Sequence, residues 1–219
     1  MFKKINWQYA IGEIIIVIIG ITIAFTLNKW GENAKDRVAK QQYLTSLMVD
    51  LDNEIEHLKE NIARFQGKKS DIEAIFPYLY GRQEGRDSIS RKIFDLAGVI
   101  NFHPNDVTYK TLINSGDLSL FEDFELKKAL ENHYSDHTLI EQDYQRQHHI
   151  NEAYFADLMI YNIDYDKLRR GDYSFMDDPL LKSIVQSLYG TYGIAIESSQ
   201  KGIARCEALK AVLHEAQKP

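Results

Sequence analysis

Tyr9 to Leu27 reads YAIGEIIIVIIGITIAFTL, nineteen residues carrying one charge, at Glu13. At about 1.5 Å per residue this makes roughly 28 Å of helix, close to the ~30 Å hydrocarbon core of a bilayer. Trp7 and Tyr9 stand at one end and Trp30 at the other, where interfacial aromatics belong. The run is longer than the usual apolar region of a cleaved leader, about 7–15 residues, and no A-x-A-like cleavage site follows it. The reading is an uncleaved transmembrane helix at residues 9–30 behind a short basic tail at 1–8.

The rest of the chain has a different composition. Over 219 residues the sequence is 44% hydrophobic and 26% charged, with one cysteine and four prolines. Its mean hydropathy of -0.36 averages an apolar anchor with a polar remainder. These proportions exclude a disordered chain and a disulfide-rich miniprotein, and they argue against a turn-dense β fold. The first thirty residues hold three lysines and one glutamate, so the remainder carries -8 of the chain's net -6. A basic nucleic-acid surface is therefore not expected.

Orientation is read from the flanks. Lys3 and Lys4 precede the span without acids, whereas Lys29, Lys35, Arg37 and Lys40 follow it, diluted by Glu32 and Asp36. A bare Lys and Arg count leans towards a cytoplasmic C-terminal flank. A short basic tail before a first span usually stays inside, however, and long domains translocate largely regardless of charge. The large domain is therefore expected outside the cytoplasm.

Within the span, Val17, Gly20, Ala24, Asn28 and Gly31 all fall within about 60° of Glu13 at 100° per residue. This gives the helix one small or polar face, and Gly20 and Ala24 form a small-xxx-small pair that permits close helix approach in lipid. A carboxylate at mid-membrane costs ~2.5–3.5 kcal/mol on insertion scales. Three readings of Glu13 stand: an interfacial side chain that snorkels or is protonated, a contact between copies, or an ion or proton path.

Beyond the span nearly everything reads as helix. Leu44, Met48, Leu51, Ile55, Leu58, Ile62 and Phe65 are spaced 4-3-4-3-4-3, a seam for a helix pair or bundle edge over a stalk at residues 31–66. Asn28 and Gly31 are the expected bends and Gly67 an interruption. Gly81 to Asp87 reads as a polar loop. Ser88 or Ser90 begins a short helix that Gly98 ends, and Asn105 or Asp106 caps another that Gly116 stops. Asp123 opens a long helix to about Tyr161, and Asp178-Pro179 opens the last one. The expected fold is all-α: a transmembrane helix continuing into a stalk and an elongated extramembrane bundle, with residues 67–219 completing the bundle.

Two stretches carry a family resemblance. The segment YAIGEIIIVIIGITIAFTLNKW, with the stalk KDRVAKQQYLTSLMVDL after it, resembles the span of an uncharacterised bacterial single-span membrane-protein family, YAIGEI-apolar-GI-x-IA ending in Asn-x-Trp. NDVTYKTLINSGDLSL, with its Thr108-Tyr109 and Ser115-Gly116 pairs and Leu118, is similar to a second element of that family. The resemblance covers about a quarter of the chain and implies a single-span envelope protein common among Bacteroidota-type bacteria; with the flank reading, the expected place is the inner membrane with the C-terminal domain in the periplasm. It brings no activity and no catalytic residues.

No nucleotide-binding glycine loop, serine nucleophile elbow or zinc-protease helix motif is present. Cys206 stands alone in an apolar stripe and reads as a buried thiol. His133, His137 and Glu141 fall at i, i+4 and i+8, a spacing at which two imidazoles and a carboxylate can share zinc or copper. The same two histidines fit bundle-seam positions that fix register, and this reading is preferred, so no metal or cofactor is assigned. The acids Asp50, Asp52, Glu54 and Glu56 read as a solvated helix face, and Asp177 and Asp178 as caps.

The sequence thus points to a non-enzymatic, membrane-anchored helical protein that self-assembles or scaffolds an envelope partner. Its intramembrane face is Glu13, Gly20, Ala24 and Asn28, and its stalk contact Leu44, Met48, Leu51, Ile55, Leu58 and Ile62. The alternatives are a channel- or motor-type subunit using Glu13 and a ligand-sensing bundle. The expected partners are the lipid bilayer and further copies of the chain, not nucleic acid.

Overall fold

The computed structural model describes residues 7–218, with side chains from Ile11 onward. Lys3 and Lys4 lie outside the described residues, as do the side chains of Trp7 and Tyr9. Among the described residues there are seven α-helices and no strand.

Helix α1 is a single 73-residue element, Trp7–Leu79. The helix runs unbroken through Asn28 and Gly31, and the interruption expected at Gly67 is absent. An isolated glycine costs a helix only about 1 kcal/mol against alanine, too little to stop one already propagating. Asn28 instead donates to Glu32 one turn on, at 3.1 Å. The helix has two unlike parts. Large apolar side chains from Ile11 to Leu27, with Trp30 and Val38, are exposed, whereas Leu44, Leu47, Leu51, Leu58, Phe65, Ile72 and Ile75 are fully buried.

The remainder folds along the buried part in three further legs. After α2 (Arg86–Asp95) the chain descends antiparallel to α1, through an extended stretch and α3 (Val107–Ser115). Three contacts mark the descent: Lys68 Nζ on the Asp95 carbonyl (3.0 Å), Asn61 Nδ2 on the Asn101 carbonyl (3.1 Å) and the Tyr43 hydroxyl on Asp117 (2.6 Å). Gly116, at φ 77°, ends α3 in the left-handed region that favours glycine.

The Asp123 side chain then accepts from the Glu125 and Leu126 amides and opens α4 (Phe124–Ser135). The long helix expected from Asp123 is divided at Asp136. It resumes as α5 (His137–Ile150) and continues through two π-helical turns, Asn151–Phe155 and Leu158–Asn162. Arg205 pairs with Asp136 at 3.1 Å beside the break.

After the short α6 (Tyr165–Arg169), Asp178 caps and Pro179 opens α7 (Pro179–Ala216), 38 residues that Gly190 and Gly193 do not interrupt. Tyr189 to Glu73 (2.8 Å) and Lys210 to Asp52 (2.6 Å) set α7 antiparallel to α1. The Tyr144–Ser199 hydroxyl pair (2.7 Å) sets it antiparallel to α5 as well.

The extended stretch lacks ladder partners, so side-chain amides replace them. Gln147 accepts from the Ile100 amide (3.1 Å) and donates to its carbonyl (2.6 Å), all inside the core. At the far end Arg86, within the expected polar loop, is only 5% exposed. Its guanidinium donates to the carbonyls of Arg82, Tyr173 and Tyr78 and to both Asp177 oxygens. Asp177 is thus a clasp rather than a cap.

Gly202 sets the distance between α7 and its neighbours. A Cβ there would stand 2.9 Å from Ile140 Cδ1 and 3.0 Å from Leu58 Cδ1. Alanine meets only two terminal methyls and gains helix propensity, whereas a branched side chain has nowhere to go. G202A is expected to change stability by less than about 1 kcal/mol and G202V to lower it by roughly 1–3 kcal/mol, measured by urea unfolding in detergent. Equal effects would contradict the close approach.

Hydrogen bonds from Arg86 hold the Asp177 carboxyl below its ordinary range. A depressed carboxyl contributes stability above its unfolded pKa and loses it as pH falls through the folded one. Unfolding midpoints of the wild type and D177N are therefore expected to differ by a constant amount above about pH 5 and to converge below about pH 4. A gap undiminished at pH 3 would exclude the clasp.

Candidate functional site

The bundle core consists of two apolar clusters separated by a polar layer. Leu44, Leu51, Phe121, Leu130 and Leu213 belong to the cluster nearer the exposed half of α1, and Phe65, Ile72, Tyr144, Leu188 and Tyr192 to the other. Between them, Glu54 of α1 meets His133 of α4 and His137 of α5. Their side chains are 1%, 4% and 9% exposed.

Geometry places these groups around one point. His137 Nε2 is 3.0 Å from Glu54 Oε1, and His133 Nε2 is 3.8 Å from the same oxygen. One donor atom from each of the three residues lies within 4.8 Å of the others. The Cys206 thiol donates to Oε1 at 3.4 Å. Aromatic rings enclose the layer: His133 lies edge-on to Tyr134 and His137, Tyr109 stacks on Tyr134, and Phe102 lies edge-on to His137.

The layer is unevenly satisfied. Glu54 Oε2 and both ring nitrogens of His133 are buried without a hydrogen-bond partner. Burial is the largest influence on the Glu54 carboxyl and pushes it up, but the His137 hydrogen bond and the nearby imidazoles bring the net position below the ordinary value. Burial pulls His133 down to about 4, so its imidazole is neutral at pH 7. Burial and Glu54 together push the Cys206 thiol far up, which leaves it protonated. The layer is thus a buried carboxylate beside a neutral imidazole that keeps one bare lone pair, an arrangement fit to hold a cation.

The residues expected to carry function are distributed otherwise. His133 and His137 do come together, but Glu141 is exposed and plays no part. The break at Asp136 lies between His133 and Glu141, so the two do not share one continuous helix face. The carboxylate comes instead from Glu54, which the sequence reading left on the solvated side among Asp50, Asp52 and Glu56. The signal was available: Leu47, Leu51, Glu54, Leu58, Asn61 and Phe65 are spaced 4-3-4-3-4, a second inward stripe beside the seam first read. Leu44, Leu51, Ile55 and Leu58 are buried in the chain's own core, with Met48 and Ile62 half-buried, so this seam serves the bundle. Glu13, Gly20, Ala24 and Asn28 remain exposed on α1.

His133 carries a simple consequence. A buried polar group without a partner costs about 1–3 kcal/mol, and an apolar replacement of similar size removes that cost. With EDTA present, H133L is expected to unfold a few degrees above the wild type, by about 1–2 kcal/mol. A lower midpoint on differential scanning would show that the imidazole is satisfied.

Residues 13–178 match a family of unknown function, DUF6090. The match covers well over half of the chain, and the chain belongs to that family. It takes in Glu13, Glu54, His133 and His137 and ends at Asp178, the cap of α7. No curated protein and no solved structure matches the chain.

Proposed function

We propose that this DUF6090 member is a non-enzymatic, single-pass protein of a bacterial inner membrane. Its span brings copies of the chain together, and its bundle stands in the periplasm as a scaffold for an envelope partner. One observation carries the reading: the first part of α1 is apolar and wholly uncovered. Ile11, Ile14, Ile15, Ile16, Val17, Ile18, Ile19, Ile21, Ile23, Phe25 and Leu27 are all exposed, in a helix with a window of mean hydropathy 2.2 and no burial by the rest of the chain. At about 1.5–3 kcal/mol for each such side chain, leaving eleven of them in water costs on the order of 15–30 kcal/mol. This exceeds the whole stability of an ordinary domain, ~5–15 kcal/mol, so lipid is the medium that suits the helix.

The same face supports assembly. Gly20 has open space where a Cβ would stand, and Ala24 lies one turn on, so a second helix has room to approach. Glu13 lies on this side near the start of the span, where a partner helix shields it from lipid. The core seam from Leu44 to Leu58 is already buried within the chain, which leaves the span as the surface for self-association.

Native mass measurement of the full chain in mild detergent tests this, with crosslinking in membranes alongside. Dimers or larger species are expected, with G20L and A24L shifting the population to monomer at unchanged bundle stability. A monomer under all conditions overturns assembly. An ion flux abolished by E13Q would overturn it in favour of an ion path.

A further inference from the structure

The geometry points to a divalent transition-metal site of the zinc class inside the bundle, with Glu54, His133 and His137 as its ligands. Zinc bonds to imidazole nitrogen and carboxylate oxygen at about 2.0–2.2 Å, which puts the ligand atoms of a tetrahedral ion roughly 3.3–3.5 Å apart. The two nitrogen-to-oxygen separations here, 3.0 and 3.8 Å, bracket that value. The separation between the two imidazole ligand atoms is at most 4.8 Å, so an ion needs side-chain shifts of about an ångström or less.

The second observation is independent of spacing. Within the layer the protein leaves Glu54 Oε2 and the His133 ring nitrogens bare, more than nine-tenths buried and unpartnered, and a neutral imidazole offers one of those nitrogens to a metal. Oε1, the oxygen nearest both imidazoles, would exchange its 3.0 Å His137 contact for the ion while the Cys206 thiol donates to it at 3.4 Å. Cys206 would thus hydrogen-bond the ligating carboxylate, as partners of such ligands commonly do. A layer built only to fix bundle register would pair all its polar atoms with one another; this one pairs Glu54 Oε1 and leaves Oε2 and the His133 ring bare.

Donor chemistry selects the ion. Two imidazoles with one carboxylate suit zinc, copper or cobalt, whereas magnesium and calcium require oxygen shells. The position gives the ion a role. It would join α1, the helix continuous with the span, to α4 and α5 on either side of the Asp136 break, fastening the bundle across its waist.

The test uses the full chain in detergent, stripped with EDTA and dialysed. Titration with Zn2+, read by calorimetry and by the shift in thermal midpoint, is expected to give one ion per chain and a stabilised bundle. Co2+ is expected to give the intense visible bands of a tetrahedral complex, and Mg2+ and Ca2+ no shift. H133L, H137Q and E54Q are each expected to weaken Zn2+ binding at least tenfold, and E141Q to leave it unchanged. H133L serves as the folded control, because its apo midpoint is measured separately with EDTA. Absence of stoichiometric Zn2+ binding, or its persistence in H133L or in a folded E54Q, would overturn the site. These readouts do not depend on whether the span self-associates.

Discussion

Everything in this molecule hangs on the continuity of α1. One uninterrupted helix carries an apolar, uncovered part from Ile11 to Leu27 and a buried part from Leu44 to Leu79. Between them, residues 31–38 are helical and exposed all round. Ser119, Leu120 and Glu122 flank this stretch beside Asn33, Asp36 and Arg37 but leave it exposed, so its helicity comes chiefly from the two anchored ends, in keeping with the cooperative growth of helices. Because a helix transmits rotation as well as position, the angle of the Glu13, Gly20, Ala24 face is fixed relative to Glu54 and the core seam. Two apparently separate features, a face in the span and a polar layer in the bundle, thus share one rigid axis.

The bundle around that axis is held by two kinds of economy. Gly202 lets α7 approach Ile140 and Leu58 closely, a Cβ there standing only 2.9 and 3.0 Å from their terminal methyls. Where the chain has neither helix nor sheet to satisfy its backbone, at Ile100 and Asn101, side chains do so: Gln147 bonds both polar groups of Ile100, and Asn61 bonds the Asn101 carbonyl. Arg86 does the same for three carbonyls at the far end. Glu54 Oε2 and the His133 nitrogens are left bare, as are the hydroxyls of Tyr134 and Tyr192 and side-chain amide atoms of Asn105 and Asn151; of these residues, Glu54 and His133 belong to a group of metal-ligating type.

Much of this was legible in the sequence, for definite physical reasons. The long apolar N-terminal helix reads from length and hydropathy alone. Asp123, Gly116 and Asp178-Pro179 are end signals whose chemistry acts within a few residues, so they need no tertiary knowledge. Gly67 misled as an interruption, because the growth of a long helix anchored by packing outweighs a local propensity near 1 kcal/mol. The division at Asp136 and the π-helical turns after Ile150 depend on fit against α7, for which no local signal exists. Glu54 was hidden by its neighbours: four acids at alternating positions look like a solvated face, and only the inward stripe from Leu47 to Phe65 separates it from the rest. His133 and His137 were visible as a pair, but their carboxylate partner lies 79 and 83 residues away in the chain, beyond the reach of spacing arguments.

The central claim is that α1 passes without interruption from lipid into the bundle. Its most direct test is a scan of single spin labels from Ile14 to Ser46 in nanodiscs, with the buried Cys206 replaced by alanine, comparing collision with oxygen and with a polar relaxant. The account predicts oxygen-dominated labels through Phe25, one reversal near Asn28 to Trp30, and helical mobility throughout residues 31–43. Polar-relaxant access at Ile14 to Ile23, or a stretch of coil-like mobility between Gly31 and Tyr43, would contradict it.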